Sequence, residues 1–153
     1  MLNKVVAECL QLMPEEVQFW QIGAYAELEV KGNMFSGRQL MLQGLRQNED
    51  FPKFNLAYLK FELVTFEKIM KRRDVLNKIS EDQAIDFVDQ EEQESPEGEM
   101  KKGEEANLLK IVYAQVATRF SADALTLREA KRMLRDCKYL ADSELVKTAR
   151  LNY

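Results

Sequence analysis

Two cysteines, two glutamates that recur at a fixed offset and eight clustered cations are the residues of this sequence that could do chemistry, and no histidine accompanies them. Without histidine there is no Ser-His or Cys-His nucleophile pair, no His-ligated metal and no ready proton shuttle at neutral pH. Cys9 and Cys137 lack CxxC spacing, so a thiolate zinc site is not expected. Each lies in a helical apolar pattern, which predicts free buried thiols in a reducing compartment rather than a disulfide. No GxGxxG or GxxxxGK[ST] phosphate loop is present. The expectation is a chain with no catalytic, cofactor-binding or metal-binding residues.

Glu27 and Glu62 stand 35 positions apart, on helical faces that also carry aromatics. Such carboxylates can act as a general acid or base, or they can tie one helix to another through a basic partner. Arg38 and Arg73 repeat at the same offset. Repetition of both members favours the structural reading, with Arg38 expected on Glu27 and Arg73 on Glu62. A guanidinium can hold a carboxylate with two parallel hydrogen bonds.

The cations form two groups at helical spacing, Lys68, Lys71 and Arg72, then Arg128, Lys131, Arg132, Arg135 and Lys138. The ordinary reading of each is a solvated helix face. The sharper one is a contact surface for RNA phosphates or a partner, whose signature is binding that falls steeply with salt. No RNP-type aromatic motif is present, so RNA contact would be to the backbone.

The elements that position these residues repeat as well. The 35-residue shift also superimposes Phe19 on Phe54, Leu28 on Leu63, Val5 on Leu40 and Leu10 on Leu45. A period of that size carried by apolar residues at three- and four-residue steps marks stacked helix pairs, a solenoid. Leu2 to Met13 reads as one helix stopped by Pro14, and a second runs to about Val30 with Trp20, Gly23, Ala24 and Leu28 on its inner face. Lys31-Gly32-Asn33 is a turn, Gly32 ending one helix and Asn33 capping the next. A third helix runs to about Arg46, with Gly37 as a close-contact position. Pro52 suits a first helical position, and a longer helix continues through Asn77, with Val64-Thr65 the candidate point for a break. Pattern returns at Ala106. Thr126 and Glu129 have capping-box spacing before a helix through Leu140, and Asp142-Ser143 can cap a last short helix. The fold class is all-α, an antiparallel helix-pair solenoid of about seven helices with no convincing strand.

Composition agrees with that class. The chain has 153 residues, 46% hydrophobic and 31% charged, with 6 glycines and 3 prolines. The formal charge of −4 is uneven: residues 53–78 and 106–153 are each net +4, whereas 79–105 are net −9. The intervening segment is too poor in apolar residues to repay ordering and is expected to be a flexible acidic linker able to cover a basic face. The boundaries are therefore 1–78 for the repeat region, 79–105 for the linker and 106–153 for C-terminal helices continuing the solenoid. Neither a signal peptide nor a membrane-length apolar run is seen, so a soluble intracellular protein is expected.

Trp20, Ala24, Glu27, Gly32, Asn33 and Arg38, in that order and spacing, resemble the half-a-TPR (HAT) repeat. Gly44-Leu45-Arg46 with Asn48, Tyr58 with Phe61-Glu62-Leu63, and Lys71-Arg72-Arg73 with Val75-Leu76 are similar, more narrowly, to the HAT region of the U3 small nucleolar RNA-associated protein 6 family. The likeness spans about Leu10 to Leu76. Asn55 departs from it, standing where a second repeat would carry tryptophan, as does Gly37, where alanine is usual. The resemblance implies a TPR-like, non-catalytic scaffold of the small-subunit processome (the U3 snoRNP), in the nucleus and nucleolus. It implies a role in pre-rRNA processing and maturation of 18S ribosomal RNA. The implied partners are other proteins of the processome's B subcomplex, with U3 snoRNA and pre-rRNA in the same assembly. No cofactor, membrane or small-molecule substrate is implied. The alternatives are a HAT subunit of a splicing or 3′-end processing complex, and a TPR-like peptide-binding adaptor.

Overall fold

A computed structural model of the chain describes residues 2–82 and 104–140. Helices α1 (Leu2–Leu12), α2 (Val17–Glu29), α3 (Met34–Gln47), α4 (Pro52–Asp82), α5 (Glu104–Arg119) and α6 (Ala124–Asp136) follow one another, and a single 3₁₀ turn closes the described part at Lys138–Leu140. Among the described residues there is no strand. Part of the expected linker is thus helical, since α4 continues to Asp82 and α5 begins at Glu104. The rest of it, and the helix expected after Asp142, lie outside the described residues.

The turns are built as their residue types require. Gly32 takes a positive φ of 68° after α2, and the Asn33 N–H closes the turn on the Glu27 carbonyl at 2.9 Å. The Asn33 side chain then accepts from the Ser36 N–H and caps α3. Pro52 opens α4, where its missing N–H costs nothing. The capping box expected at Thr126 and Glu129 is displaced. Asp123 is the N-cap, its carboxylate accepting from the Leu125 and Thr126 N–H groups and from the Thr126 hydroxyl. Aspartate in extended backbone reaches those amides directly, and Thr126 is buried inside the first turn. Helix α6 also stops earlier than expected, at Asp136, because Cys137 is extended.

Each helix packs on the next, α2 also packs on α4, and α4 on α6. Helix α4 is therefore the spine, with α2 and α3 on one side and α5 and α6 on the other. Phe54, Ala57, Tyr58, Leu59, Phe61, Leu63 and Phe66 are all buried, covering most of the circumference of its first four turns and leaving one stripe, with Lys53 and Lys60, exposed. One core joins them to Trp20, Ala24, Leu28, Met41, Leu109, Val112, Val116, Ala130 and Leu134. Packing on several sides also explains why Val64-Thr65 does not break the helix. Thr65 is 1% exposed, and neighbouring helices outweigh the modest helix penalty of β-branched residues.

Candidate interaction surfaces and the seam between helix pairs

Trp20 holds the first helix pair together. It is 2% exposed, and its ring lies against Gly44 of α3 so closely that a Cβ there would come within 2.7 Å of Trp20 Cδ2. Its indole N–H donates to the Pro14 carbonyl at 2.9 Å. The same carbonyl accepts from Asn48 Nδ2, at 3.0 Å, from just past the end of α3. One turn oxygen thus fastens both helices of the pair.

The second pair repeats this arrangement with different side chains. Asn55, 35 residues after Trp20, is buried and donates to the carbonyl of Glu49, 35 residues after Pro14, at 2.9 Å. The second donor to that carbonyl is Arg119, the last residue of α5, at 3.1 Å. Asn55 therefore keeps the hydrogen bond that the tryptophan makes in the first pair. Arg119 on α5 thus takes the part that Asn48 takes in the first pair, and α4 and α5 are the helices that this second set of bonds joins. Neither Gly44 nor Asn48 was singled out by the sequence reading as a contact of Trp20, and only the 35-residue spacing of Pro14 and Glu49 could have signalled the shared acceptor.

The glutamate ties differ from expectation. Arg38 does not hold Glu27. Its Nε and Nη2 donate to the two oxygens of Glu62 at 2.6 and 2.8 Å, joining α3 to α4 and so one pair to the next. Glu27 pairs instead with Lys31, four residues on, in the turn just past the end of α2. The Glu62–Arg73 tie is excluded by geometry. Both residues lie on α4, 11 positions apart, which is about 16 Å along the axis. At the positions equivalent to Gly32-Asn33 the chain has Glu67-Lys68, so no turn forms and Arg73 stays on the spine, where it is half-buried and takes part in an interaction of its own. Glu62 is 2% exposed, and the guanidinium of Arg38 is held above its ordinary value chiefly by the hydrogen bond to it. Tyr58, also buried, has its hydroxyl pushed up by burial and then by the Glu62 charge. The cluster is closed and internal. Gly37, beside Arg38, fits because a Cβ would meet the Ala24 carbonyl at 2.8 Å and the Phe61 ring at 2.9 Å. Ala24 is fully buried under it.

Cys137 is buried and Cys9 half-buried, and both thiols are free. Burial pushes the Cys137 thiol up to about 11, with Glu67 adding to the rise. Such a thiol is a poor nucleophile at neutral pH. Among the described residues, no three His, Cys, Asp or Glu side chains gather as a metal ion needs. No described helix is long and apolar enough to cross a membrane.

The cations are distributed over distinct surroundings rather than along one stripe. Lys68 reaches across to Glu29 of α2 at 2.5 Å, while Lys71 and Arg72 are exposed. On α6, Lys131 is half-buried and engaged, and Lys138 lies beyond the helix end in the 3₁₀ turn. Arg128, Arg132 and Arg135 do come together. They line an open groove of about 660 Å³ between α6 and the first turns of α4, with Lys53, Pro52 and Leu56 on the opposite wall.

The molecule is thus an all-helical protein whose successive pairs are fastened by repeated polar ties. The chain is similar to the U3 small nucleolar RNA-associated protein 6 homolog of Homo sapiens, 32% identical over 81 residues, which are 53% of this chain and 14% of that one. It is also similar to the Mus musculus homolog, 31% identical over 112 residues, 73% of this chain and 17% of that one. The Schizosaccharomyces pombe U3 small nucleolar RNA-associated protein 6 is 28% identical over 75 residues, 49% of this chain and 15% of that one. The chain thus spans between 14% and 17% of the length of these curated relatives. No family model and no solved structure matches it.

Proposed function

We propose that this chain is a non-catalytic helical-repeat scaffold acting in ribosome biogenesis, within the assembly that contains the U3 small nucleolar RNA. The observation that carries the reading is the similarity to three curated proteins, all named for association with that RNA. The contact pattern supports it. Helices touch partners one or two places along the chain, as in a solenoid of HAT or TPR type, and such stacks present long faces to other proteins. The 35-residue recurrence of the Pro14 and Glu49 ties supports assigning α2–α3 and α4–α5 as two successive repeats. On this reading the protein works in the nucleolus, in pre-rRNA processing, by holding other processome proteins. The Arg38–Glu62 pair fixes the angle between repeats and has no catalytic part.

Tagged chain recovered from nuclear extract, followed by hybridisation for small RNAs, tests the proposal. Enrichment of U3 over the spliceosomal RNAs is the expected result. Recovery of spliceosomal RNA or of chaperone C-terminal tails instead would move the chain to one of the other repeat-protein classes.

A further inference from the structure

We infer that the groove between α6 and the first turns of α4 is a docking site for an acidic peptide segment of a partner protein, one carrying an apolar side chain flanked by carboxylates. The inference rests on the scaffold reading and says where and by what chemistry a partner is held. The groove has two components. Pro52, Leu56 and Leu125 give it an apolar strip, and Leu125 is 76% exposed, so its side chain is open to a ligand. Lys53, Arg128, Arg132 and Arg135 stand around that strip, with Glu129 the only acid among the lining residues.

Lys53, Arg128 and Arg135 have no ion-pair or hydrogen-bond partner among the described residues. Three cations are therefore available to an incoming ligand, whereas Arg132 is shared between Glu129 and Asp136, each at 3.8 Å. The elements that form the groove are themselves fixed. Asp123 caps α6, Thr126 and Ala130 bury its inner face, and Arg119 fastens the end of α5 to the turn before α4. Rigid walls lower the ordering cost of binding.

The same details favour protein over nucleic acid. A nucleic-acid track sets uninterrupted cations along the phosphates and aromatic faces under the bases. Here Glu129 interrupts the row, and none of the residues lining the groove is aromatic. An acidic peptide meets the same cations with carboxylates and can place a leucine or isoleucine against Leu56 and Leu125. Guanidinium groups suit that partner because their fork matches a carboxylate.

The test uses the full chain and three labelled probes in fluorescence anisotropy. The first is a twelve-residue Glu/Asp-rich peptide with two central leucines, the second replaces those leucines by serine, and the third is an oligouridine of matched charge. The first probe should bind best, and the serine peptide several-fold less well. Arg128→Glu with Arg135→Glu should weaken the first by about tenfold at moderate salt, as two reversed rim charges imply. Leu125→Ser should erase the difference between the two peptides. All three positions are exposed, so unchanged melting curves will show that the fold persists. Peptide binding that survives the double reversal, equal binding of both peptides, or oligouridine binding tighter than the leucine peptide would overturn the inference. The scaffold reading fails separately: parent chain that does not enrich U3 from extract refutes it whatever the peptides do, and U3 enrichment with failed peptide binding refutes the groove alone.

Discussion

Replacing Arg38 by alanine strands a carboxylate in the core. Glu62 is 2% exposed and Arg38 supplies a hydrogen bond to each of its oxygens, from a side chain itself only 18% exposed. Removing one partner of a buried pair costs about 3–5 kcal/mol, because the other charge is left without compensation. Arg38 is not fully buried, so water can reach part of the vacated space, which places the expected loss near the bottom of that range, about 3 kcal/mol. That is a large part of the roughly 5–15 kcal/mol that holds a domain of this size together, and it should lower Tm by about 10 °C. Urea unfolding should be followed both by far-ultraviolet circular dichroism and by the fluorescence of Trp20, the single tryptophan. Arg38→Met combined with Glu62→Leu should recover most of the loss, since an apolar pair of similar volume carries no desolvation cost. Arg38 and Glu62 should couple strongly in a double-mutant cycle, whereas Arg38 and Glu27 should be additive. The guanidinium of Arg38 is held above its ordinary value, so its contribution is fully present below that value and is lost only as pH rises through the still higher folded one. An Arg38→Ala chain within about 0.5 kcal/mol of the parent would show that the tie carries no weight.

Four further outcomes follow from the same geometry. Gly44→Ala drives a methyl group into the Trp20 ring and should destabilise by about 2 kcal/mol despite the better helix propensity of alanine, with a red shift in tryptophan emission as the readout. Asn55→Trp, which restores the residue a second repeat would carry, should also destabilise, because Asn55 is buried and an indole there would overpack the core; a raised melting temperature would contradict this. Asp123→Asn should weaken the cap of α6. The Asp123 carboxyl is held below its ordinary 3.8 by hydrogen bonds from Thr126 and then Leu125, so the parent should keep this contribution above that value and lose it as pH falls through the lower folded one, a step that acid titration of the variant should lack. A disulfide reagent at pH 8 should modify half-buried Cys9 well before Cys137, whose thiol stays protonated up to about 11, and equal rates by mass spectrometry would contradict the burial of Cys137.

The sequence by itself determined the helices and most of their ends, because these are local matters. Gly32 takes positive φ, Asn33 caps, Pro52 starts a helix, and apolar residues recur at three- and four-residue steps whatever lies beside them. It also determined that Glu27, Arg38 and Glu62 are structural candidates, since their recurrence shares the period of the core. What only the tertiary structure decided is who meets whom. Arg38 turns forward to Glu62 because α3 lies against α4 at that height, and Arg73 cannot follow because α4 never turns back. Asn55 looked like a lost tryptophan, yet it donates to the Glu49 carbonyl as Trp20 does to that of Pro14. A hydrogen-bond acceptor on the backbone leaves no mark in residue type, so one N–H donor can replace another wherever packing brings it within reach.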